Sequence, residues 1–259
     1  MSVHRFHVPS VKRGPAALPE SARIHATRVL RMSEGDALRV FDAGVEFEAT
    51  IAAISKHAVR IEVGAAVTPR PERAIPIHLV ISPLKGDLTE LVIQKATELG
   101  VARISPVVFE RTDTVARKEP GEGRVERWHR VAVSAAEQSG RAVVPVIDLV
   151  TALNTFASAL PPQGEGELRL MAAEPSLALP PPAPSVRPGV RSVLVAVGPS
   201  GGLSPTDIAP LEAAGFEAVR LAPHTLRSET ACMAAVAILG DRFGGDRLGG
   251  DRFDESTRP

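Results

Sequence analysis

The segment Ser192–Val197 is the feature of this 259-residue chain that most constrains its fold. After its first residue it is an unbroken apolar run, whereas a strand with one face in water alternates apolar and polar side chains. Such strands are typical of parallel sheets that helices cover on both faces. A glycine-rich loop follows, and then Ser204, Pro205 and Asp207 together indicate the start of a helix. The pattern predicts an α/β domain with this strand inside a largely parallel sheet.

An alternation of strands and helices extends on both sides of that segment and defines a domain at residues 74–240. The predicted strands are Ile77–Ile81, Ile104–Phe109, Val143–Ile147, Ser192–Val197 and Phe216–Leu221. The predicted helices are Leu88–Leu99, Val125–Ser139, Ser204–Gly215 and Ser228–Leu239. Asp87, with Glu90 three residues later, is predicted to cap the first helix.

Residues 1–73 have a different pattern, and two further segments stand apart. Short β-like runs separated by close turns predict a small β-barrel domain. A proline- and charge-rich link at residues 68–73 marks the end of this domain. The runs are Ala37–Phe41, Glu46–Ile54 and Ala58–Val63. The proline-rich stretch 161–190 is interpreted as a surface excursion of the second domain. Residues 241–259 repeat Asp-Arg and Gly-Gly without apolar bulk, so they are predicted to be a disordered tail.

Composition excludes several classes of protein. Cys232 is the only cysteine, which excludes an internal disulfide and favours a reducing compartment. Because the amino terminus also has no apolar leader, we expect a cytoplasmic protein. No apolar run approaches the ~20 residues of a membrane helix. The histidines and Cys232 show no metal-ligand spacing, so no metal is expected, and the apolar surroundings of Cys232 favour an inert buried thiol.

Charge is unevenly distributed although the net charge is zero. Residues 1–31 hold six basic side chains and a single acid, Glu20. This excess is consistent either with a face that binds RNA phosphates or with a solvated arm, and charge alone does not decide between them. Aromatic residues make up 3% of the chain and tyrosine is absent, so a platform that stacks bases is not expected. Contacts with RNA would therefore involve mainly its backbone.

Two loops that follow predicted strands form the candidate binding site. Gly198–Ser204 lies at the carboxyl edge of the sheet, where ligands of open α/β sheets bind, and its glycines allow close approach to the backbone. Leu221–Ala231 follows the last predicted strand in the same relation, so the two loops could line one pocket. A plain strand-to-helix turn is the alternative interpretation of the glycine loop. P-loop, Rossmann and GxSxG motifs are absent from the sequence.

Several blocks of the sequence together resemble the RsmE family of SPOUT-class methyltransferases, which act on small-subunit ribosomal RNA. Their order and spacing are preserved from about residue 4 to residue 240. The blocks are Lys85-Gly86-Asp87, Glu90–Val101, Glu110-Arg111, Ala136–Arg141, Val144-Pro145, Gly198–Ser204, Leu226–Ala231 and, near the amino terminus, His25–Arg31.

The resemblance implies a fold, a cofactor and a reaction. The expected fold is α/β: a small PUA-like β-barrel at residues 1–73, then a SPOUT-type trefoil-knotted methyltransferase domain at 74–240. A homodimer is implied, with S-adenosyl-L-methionine as cofactor and N3 of a uridine in 16S ribosomal RNA as methyl acceptor, in RNA or in an assembled ribosomal particle. The positions that would hold the cofactor are Val197, Gly198, Gly201, Gly202, Leu221 and Leu226.

Three side chains are candidates for the transfer step. Because uridine N3 must lose a proton, Arg141 and Arg227 could stabilise the anionic uridine oxygen or bind phosphate. Glu229 could accept the proton or orient an arginine. Arg141 and Glu229 also have structural alternatives, since one follows a helix end and the other lies in the first turn of a helix. In the first domain, Arg13, Arg28 and Arg31 are the candidates for binding RNA.

Three positions depart from the family pattern. Ser200 stands where the family has glutamate, Ala222 where it has glycine, and Leu203 where it has a larger aromatic residue. Loss of a carboxylate from the glycine loop keeps open an alternative function, a non-catalytic or retargeted RNA-binding protein of the same fold. A third hypothesis, an unrelated α/β enzyme that binds phosphate at this loop, has no accompanying lysine in its favour.

Overall fold

A computed structural model describes residues 3–114, 122–173, 183 and 188–243. The described chain contains two sheets, one on each side of the link near residue 70. Each sheet has its own set of buried apolar side chains, and the larger sheet has one set on each face. The predicted division into a β domain and an α/β domain therefore agrees with how the strands group.

The first sheet has five strands in the order β1-β3-β4-β5-β2. Its strands are β1 (His4–His7), β2 (Gly14–Ala17), β3 (Ala37–Asp42), β4 (Val45–Ile54) and β5 (Val59–Val67). The last three confirm the predicted runs to within a few residues. The sequence did not reveal β1 and β2, because four-residue strands are too short to display a periodic pattern. Between β2 and β3 lie α1 (Glu20–Ile24) and a π-helical turn (His25–Val29).

The second sheet is parallel and has the order β12-β10-β11-β6-β7-β8, with β9 also paired to β7. Its strands are β6 (Ile77–Ile81), β7 (Arg103–Val108), β8 (Val146–Ile147), β9 (Thr151–Ala152), β10 (Glu167–Ala172), β11 (Ser192–Val197) and β12 (Glu217–Val219). The prediction for Ser192–Val197 is confirmed, since it lies inside the sheet between β10 and β6. The strand predicted at Val143–Ile147 is reduced to its last two residues.

Strand β10 corrects the interpretation of residues 161–190 as a surface excursion. It pairs with β11 and β12, and Leu168, Leu170 and Met171 are buried. Its pattern was hidden because Arg169, a charged residue, lies in the strand and is only 2% exposed. Nη1 and Nη2 of Arg169 donate to the carbonyls of Ala214 and Pro161, and its Nε donates to Glu167. These bonds satisfy a cation that the sequence places among apolar neighbours.

The helices cover both faces of the second sheet. They are α2 (Leu88–Glu98), α3 (Glu122–Ser139), α4 (Leu153–Ala159), α5 (Pro205–Ala213) and α6 (Ser228–Phe243). The capping bond predicted for Asp87 is wrong, since its side chain makes none and lies 3.4 Å from Nη2 of Arg127. Helix α6 also runs past the predicted tail boundary at 241, because Phe243 is buried in the core. Residues 244–259 lie outside the described part of the chain.

Arg5 joins the two sheets. Its guanidinium forms a two-point ion pair with Glu46, which is 4% exposed, and lies 4.6 Å from the centre of the Phe41 ring. It also donates to the carbonyls of Ala136, Glu137 and Arg141, at and just beyond the end of α3. The last carbonyls of a helix have no partner within the helix, so one strand of the first domain satisfies the end of a helix in the second.

Candidate functional site

The central strands of the second sheet end at the same level. Val197, the last residue of β11, is paired with Ile81 of β6 and with Ala172 of β10. Ala172 is in turn paired with Val219, the last residue of β12. Because the strands are parallel, the loops that follow them emerge side by side at the carboxyl edge. This arrangement brings together the two loops that the sequence singled out.

The glycine loop is tight and requires its glycines. A Cβ atom at Gly198 would lie 2.8 Å from Cδ2 of Leu203 and 3.2 Å from its backbone nitrogen, so any side chain there would force Leu203 to shift. Gly202 has a φ of 72°, a left-handed conformation that favours glycine, and its N–H donates to the carbonyl of Pro199. Ser204 and Asp207 then form the predicted capping box at the start of α5, which is thereby confirmed.

The loop after β7 is bonded to the glycine loop and its helix. The N–H of Glu110 donates to Oδ1 of Asp207 at 2.9 Å, and the hydroxyl of Thr206 donates to the Glu110 carboxylate. Nη1 of Arg111 donates to the carbonyl of Gly201 at 2.8 Å. Glu110 and Arg111 were noted in the sequence only as a matching block. Their role in holding the loop was missed because it depends on contacts about 90 residues away along the chain.

A cavity of about 420 Å³ lies between these loops, within the size range of small-molecule sites. Five of the six residues predicted to hold the cofactor line it, namely Val197, Gly198, Gly202, Leu221 and Leu226. Gly201 is not part of the wall, although its carbonyl accepts the bond from Arg111. Arg111, Met171 and Glu212 also line the cavity and were not predicted. Nothing in their local sequence marks Met171 or Glu212, which reach the cavity through β10 and α5.

The three departures from the family pattern lie in different places relative to the cavity. Leu203 and Ala222 line the cavity, whereas Ser200 is exposed and is not part of its wall. The position at which the family has a carboxylate is therefore not part of the cavity wall in this chain. Among the described residues, no group of three or more His, Cys, Asp or Glu side chains is placed to hold a metal ion. Burial raises the pKa of the Cys232 thiol, and this cysteine is the inert buried thiol that the sequence predicts.

The structure corrects the catalytic role predicted for Arg141. Its side chain is 10% exposed, its Nε and Nη2 pair with Glu72, and its Nη1 donates to the carbonyls of Thr97 and Val101 at 2.8 and 3.0 Å. Arg141 does not line the cavity. The guanidinium satisfies carbonyls at the end of α2 and holds the link between the domains, so its contacts give it a structural role.

Arg227 and Glu229 do not line the cavity, but their neighbours in the chain do. They alternate with Leu226 and Ser228, which line it, at the start of α6. The Arg227 side chain is exposed and makes no hydrogen bond or ion pair with another described residue. Glu229 is half-buried in the first turn of the helix. The structure thus brings these two candidates to the loop that forms one wall.

The three predicted RNA-binding arginines lie in the first domain, away from the cavity wall. Arg13 precedes β2, Arg28 is in the π-helical turn, and Arg31 follows it with a φ of 53°. All three are exposed. Two other basic residues of the same stretch serve the fold instead, since Arg5 binds Glu46 and Arg23 binds Glu20.

Comparison with known protein families assigns the chain. A family model described as an RNA methyltransferase domain matches residues 71–240, which include both loops and the cavity between them. The chain belongs to the RNA methyltransferase family. A second family model, an RNA methyltransferase PUA domain, matches residues 23–64 of its first domain.

Relatives of this RNA methyltransferase include proteins named ribosomal RNA small subunit methyltransferase E. The one from Buchnera aphidicola is 27% identical over 88% of either chain. The one from Bacillus subtilis is 29% identical over 83% of this chain and 85% of its own. These similarities cover both domains.

Two solved structures share the fold of both domains. One is a ribosomal RNA small subunit methyltransferase E from Neisseria gonorrhoeae bound to S-adenosyl methionine, which is 29% identical with a TM-score of 0.80 and covers 92% of this chain and 97% of its own. The other is a methyltransferase from Legionella pneumophila in complex with the same cofactor, which is 28% identical with a TM-score of 0.78 and the same coverage. The predicted fold class and family are thereby confirmed.

The position of Arg141 makes a prediction about stability. Arg141→Ala should lower the free energy of unfolding by about 3 kcal/mol, because it leaves Glu72 and two carbonyls without their partner. Urea unfolding measures this change. Arg130→Ala, at an exposed site on α3, is the control and should change stability by less than about 0.5 kcal/mol. An Arg141→Ala protein with unaltered stability but no methyl transfer would restore the catalytic role.

The glycine loop makes a prediction about ligand binding. Gly202→Val should raise the dissociation constant for S-adenosylmethionine at least about tenfold, because a branched side chain disfavours the left-handed backbone that shapes the wall. Calorimetry measures the constant. Gly35→Val is the matched control, since Gly35 has a φ of 91° and open space around it in the first domain. An equal loss of binding in both variants, or none in either, would contradict the assignment.

Proposed function

We propose that this RNA methyltransferase transfers the methyl group of S-adenosylmethionine to N3 of a uridine in 16S ribosomal RNA. The observation that carries the proposal is the cavity between the glycine loop and the loop before α6, at the carboxyl edge of a parallel sheet. The names of the relatives support ribosomal RNA as the substrate, and the bound ligand in two similar structures supports the cofactor.

The residues of the cavity suit this cofactor. Met171, Ile208 and Leu221 provide apolar wall for a flat ring, and the tight turns at Gly198 and Gly202 let a ligand lie against the backbone. The cofactor is a zwitterion with an added positive charge on sulfur. Arg111 and Glu212 put one cationic and one anionic side chain on the cavity wall, so each could bind the opposite charge of such a molecule.

The side chains of the protein must stabilise the negative charge that forms on the uridine and accept the proton that N3 loses. When bound, the cofactor supplies an electrophilic methyl group. We assign to Arg227 the stabilisation of negative charge on the uridine as N3 loses its proton, because it is exposed and lies between Leu226 and Ser228, which line the cavity. Glu229 is assigned the acceptance of that proton or the orientation of Arg227. Positioning of the two reactants would supply most of the acceleration.

RNA would bind first through the β domain. Arg13, Arg28 and Arg31 are exposed there, and their side chains make no ion pair with another described residue. Phosphate contacts of this kind fix the position of an RNA but do not read its sequence. The uridine itself would then be selected at the cavity of the second domain.

The non-catalytic alternative loses its motivation in the structure. It rested on Ser200, which is exposed and is not part of the cavity wall. The phosphate-binding alternative gains no support either, because Arg111 is the only arginine or lysine among the described residues that line this cavity.

We also propose a homodimer, and the two faces of α6 support it. One face, with Cys232, Ala235, Val236 and Leu239, is buried against the sheet and α2. The opposite face is also apolar and only partly covered, and consists of Met233, Ala234, Ala237 and Ile238. We propose that this second face packs across a two-fold axis. The trefoil knot implied by the resemblance likewise stays a prediction.

The reaction can be tested in cells. Methylation of N3 blocks the Watson–Crick edge, so reverse transcription should stop at the modified uridine in wild-type 16S RNA. Disrupting the gene should remove that stop, and the gene carrying Gly35→Val should restore it while Gly202→Val should not. If every uridine stop in 16S RNA persists after disruption, the substrate is wrong.

The role of the first domain can be tested by salt dependence. Changing Arg13, Arg28 and Arg31 together to alanine should weaken RNA binding to a similar extent for all RNA sequences and reduce the dependence of affinity on salt, because phosphate contacts release counterions. Affinity for S-adenosylmethionine should stay within about twofold. Filter binding at several salt concentrations measures the first effect. An unchanged salt slope would place the RNA elsewhere.

The dimer can be tested by light scattering at micromolar concentration. The wild-type protein should have twice the mass of the 27.3 kDa chain. Ala234→Arg should produce monomers, because it buries a charge in the proposed interface. Arg130→Glu, on an exposed part of α3, should leave the mass unchanged. A monomeric wild-type protein would refute the proposed interface.

A further inference from the structure

A second cavity, of about 550 Å³, lies at the opposite edge of the parallel sheet. Its walls come from the first residues of β6, β7, β10 and β11 and from the helix α4. Strands β10 and β11 therefore run from this cavity to the one between the loops. None of the residues that line it lines the first cavity. The second cavity is thus a separate site, and inferences about it do not depend on the methyl transfer reaction.

The short helix α4, of seven residues, forms one wall of the cavity. The upper part of this face of the sheet is filled by apolar side chains such as Val80 and Val107, against which Leu153 and Phe156 of α4 pack. Below them the same face carries the polar side chains His78 and Ser105. The Phe156 ring meets the His78 ring edge-on at 6.3 Å between centroids, and the space beside them has apolar walls and a polar end.

A chain of hydrogen bonds fixes the proton on His78. The Ser105 hydroxyl lies 2.6 Å from Nε2 of His78 and also contacts the carboxylate of Asp148. An ionised carboxylate only accepts, so Ser105 must donate its one proton to Asp148. Nε2 of His78 therefore carries the ring proton and donates to Ser105. Burial, and secondarily the charge of Arg103, lower the pKa of His78 to about 4, so the ring is neutral at pH 7.

The remaining ring nitrogen of His78 is then an acceptor without a partner. Nδ1 carries a lone pair, and no described residue donates to it. Nδ1 is not among the fully buried side-chain atoms that lack a partner, so it has some exposure, and His78 helps to form the cavity wall. We take Nδ1 as the acceptor that a molecule in this cavity would use.

The charges of the cavity cancel in pairs. Arg103 forms a two-point ion pair with Asp148 at 2.8 Å, and Arg169 pairs with Glu167. A charged ligand would lose its hydration here without gaining a free counter-charge, which is costly. A neutral ligand avoids this cost, and the apolar wall formed by Phe156, Leu160 and Leu194 favours one with an apolar body.

We propose that this cavity binds a neutral, mainly apolar aromatic molecule that carries one N–H donor, and that this donor binds Nδ1 of His78. The geometry suits each part of such a ligand: its apolar body would lie against α4 and β11, and its donor would lie against the ring acceptor of His78.

The test uses indole, which has one N–H, and 1-methylindole, which has the same ring without the donor. NMR titration of the full-length protein should show shifts at residues of β6, β11 and α4, with indole binding about five- to tenfold more tightly than its methylated analogue, as expected for one neutral hydrogen bond. His78→Phe keeps a flat ring but removes the acceptor, and it should reduce this preference to about one.

Two controls separate the proposal from general effects. Thr155→Trp, at an exposed position of α4, should fill the cavity and abolish binding of both probes. This variant keeps His78. Binding of S-adenosylmethionine should be unchanged in both variants, which shows that each is folded. Equal binding of the two probes to the wild-type protein, absence of indole binding, or shifts confined to other parts of the molecule would each overturn the proposal.

Discussion

The common end point of four parallel strands is the constraint on which the rest of the structure depends. Val197 is paired with Ile81 on one side and Ala172 on the other, and Ala172 is paired with Val219. Since these strands stop together, loops that are distant in the chain meet at one edge. The cavity, the tight glycine turn and the contact between Arg111 and Gly201 all follow from this alignment. A shift of one strand by one residue would also reverse which side chains face each core.

Three arginines that are buried or largely buried hold the surrounding structure in place. Arg5, Arg141 and Arg169 each bind a carboxylate and at least two backbone carbonyls, and together they fix the ends of α2 and α3, the link between the domains and the strand β10. A guanidinium suits this task because its five N–H donors point in fixed directions and its charge is permanent. The same donors and charge also suit binding to RNA phosphates and stabilisation of negative charge in a transition state. An arginine in a sequence can therefore be interpreted either as structural or as functional.

That ambiguity explains most of what the sequence could not predict. The apolar run at Ser192–Val197 and the capping box at Ser204 were predicted correctly because they are local patterns with one physical interpretation. Arg141 was misplaced because its partners, Glu72 and the end of α2, are far away in sequence. Strand β10 was missed because Arg169 interrupts its apolar pattern. Arg111 and Glu212 join the cavity only through the order of the strands, which no local pattern specifies.

The central claim is that the cavity at this edge carries out methyl transfer to uridine. The most direct measurement incubates the purified protein with S-adenosylmethionine bearing a deuterated methyl group and with small ribosomal subunits from cells that lack the gene. Nucleosides from the digested 16S RNA are then analysed by mass spectrometry. The account predicts one deuterated 3-methyluridine for each subunit and none with the Gly202→Val protein. Deuterium in another nucleoside, or in none although the cofactor binds, would contradict it.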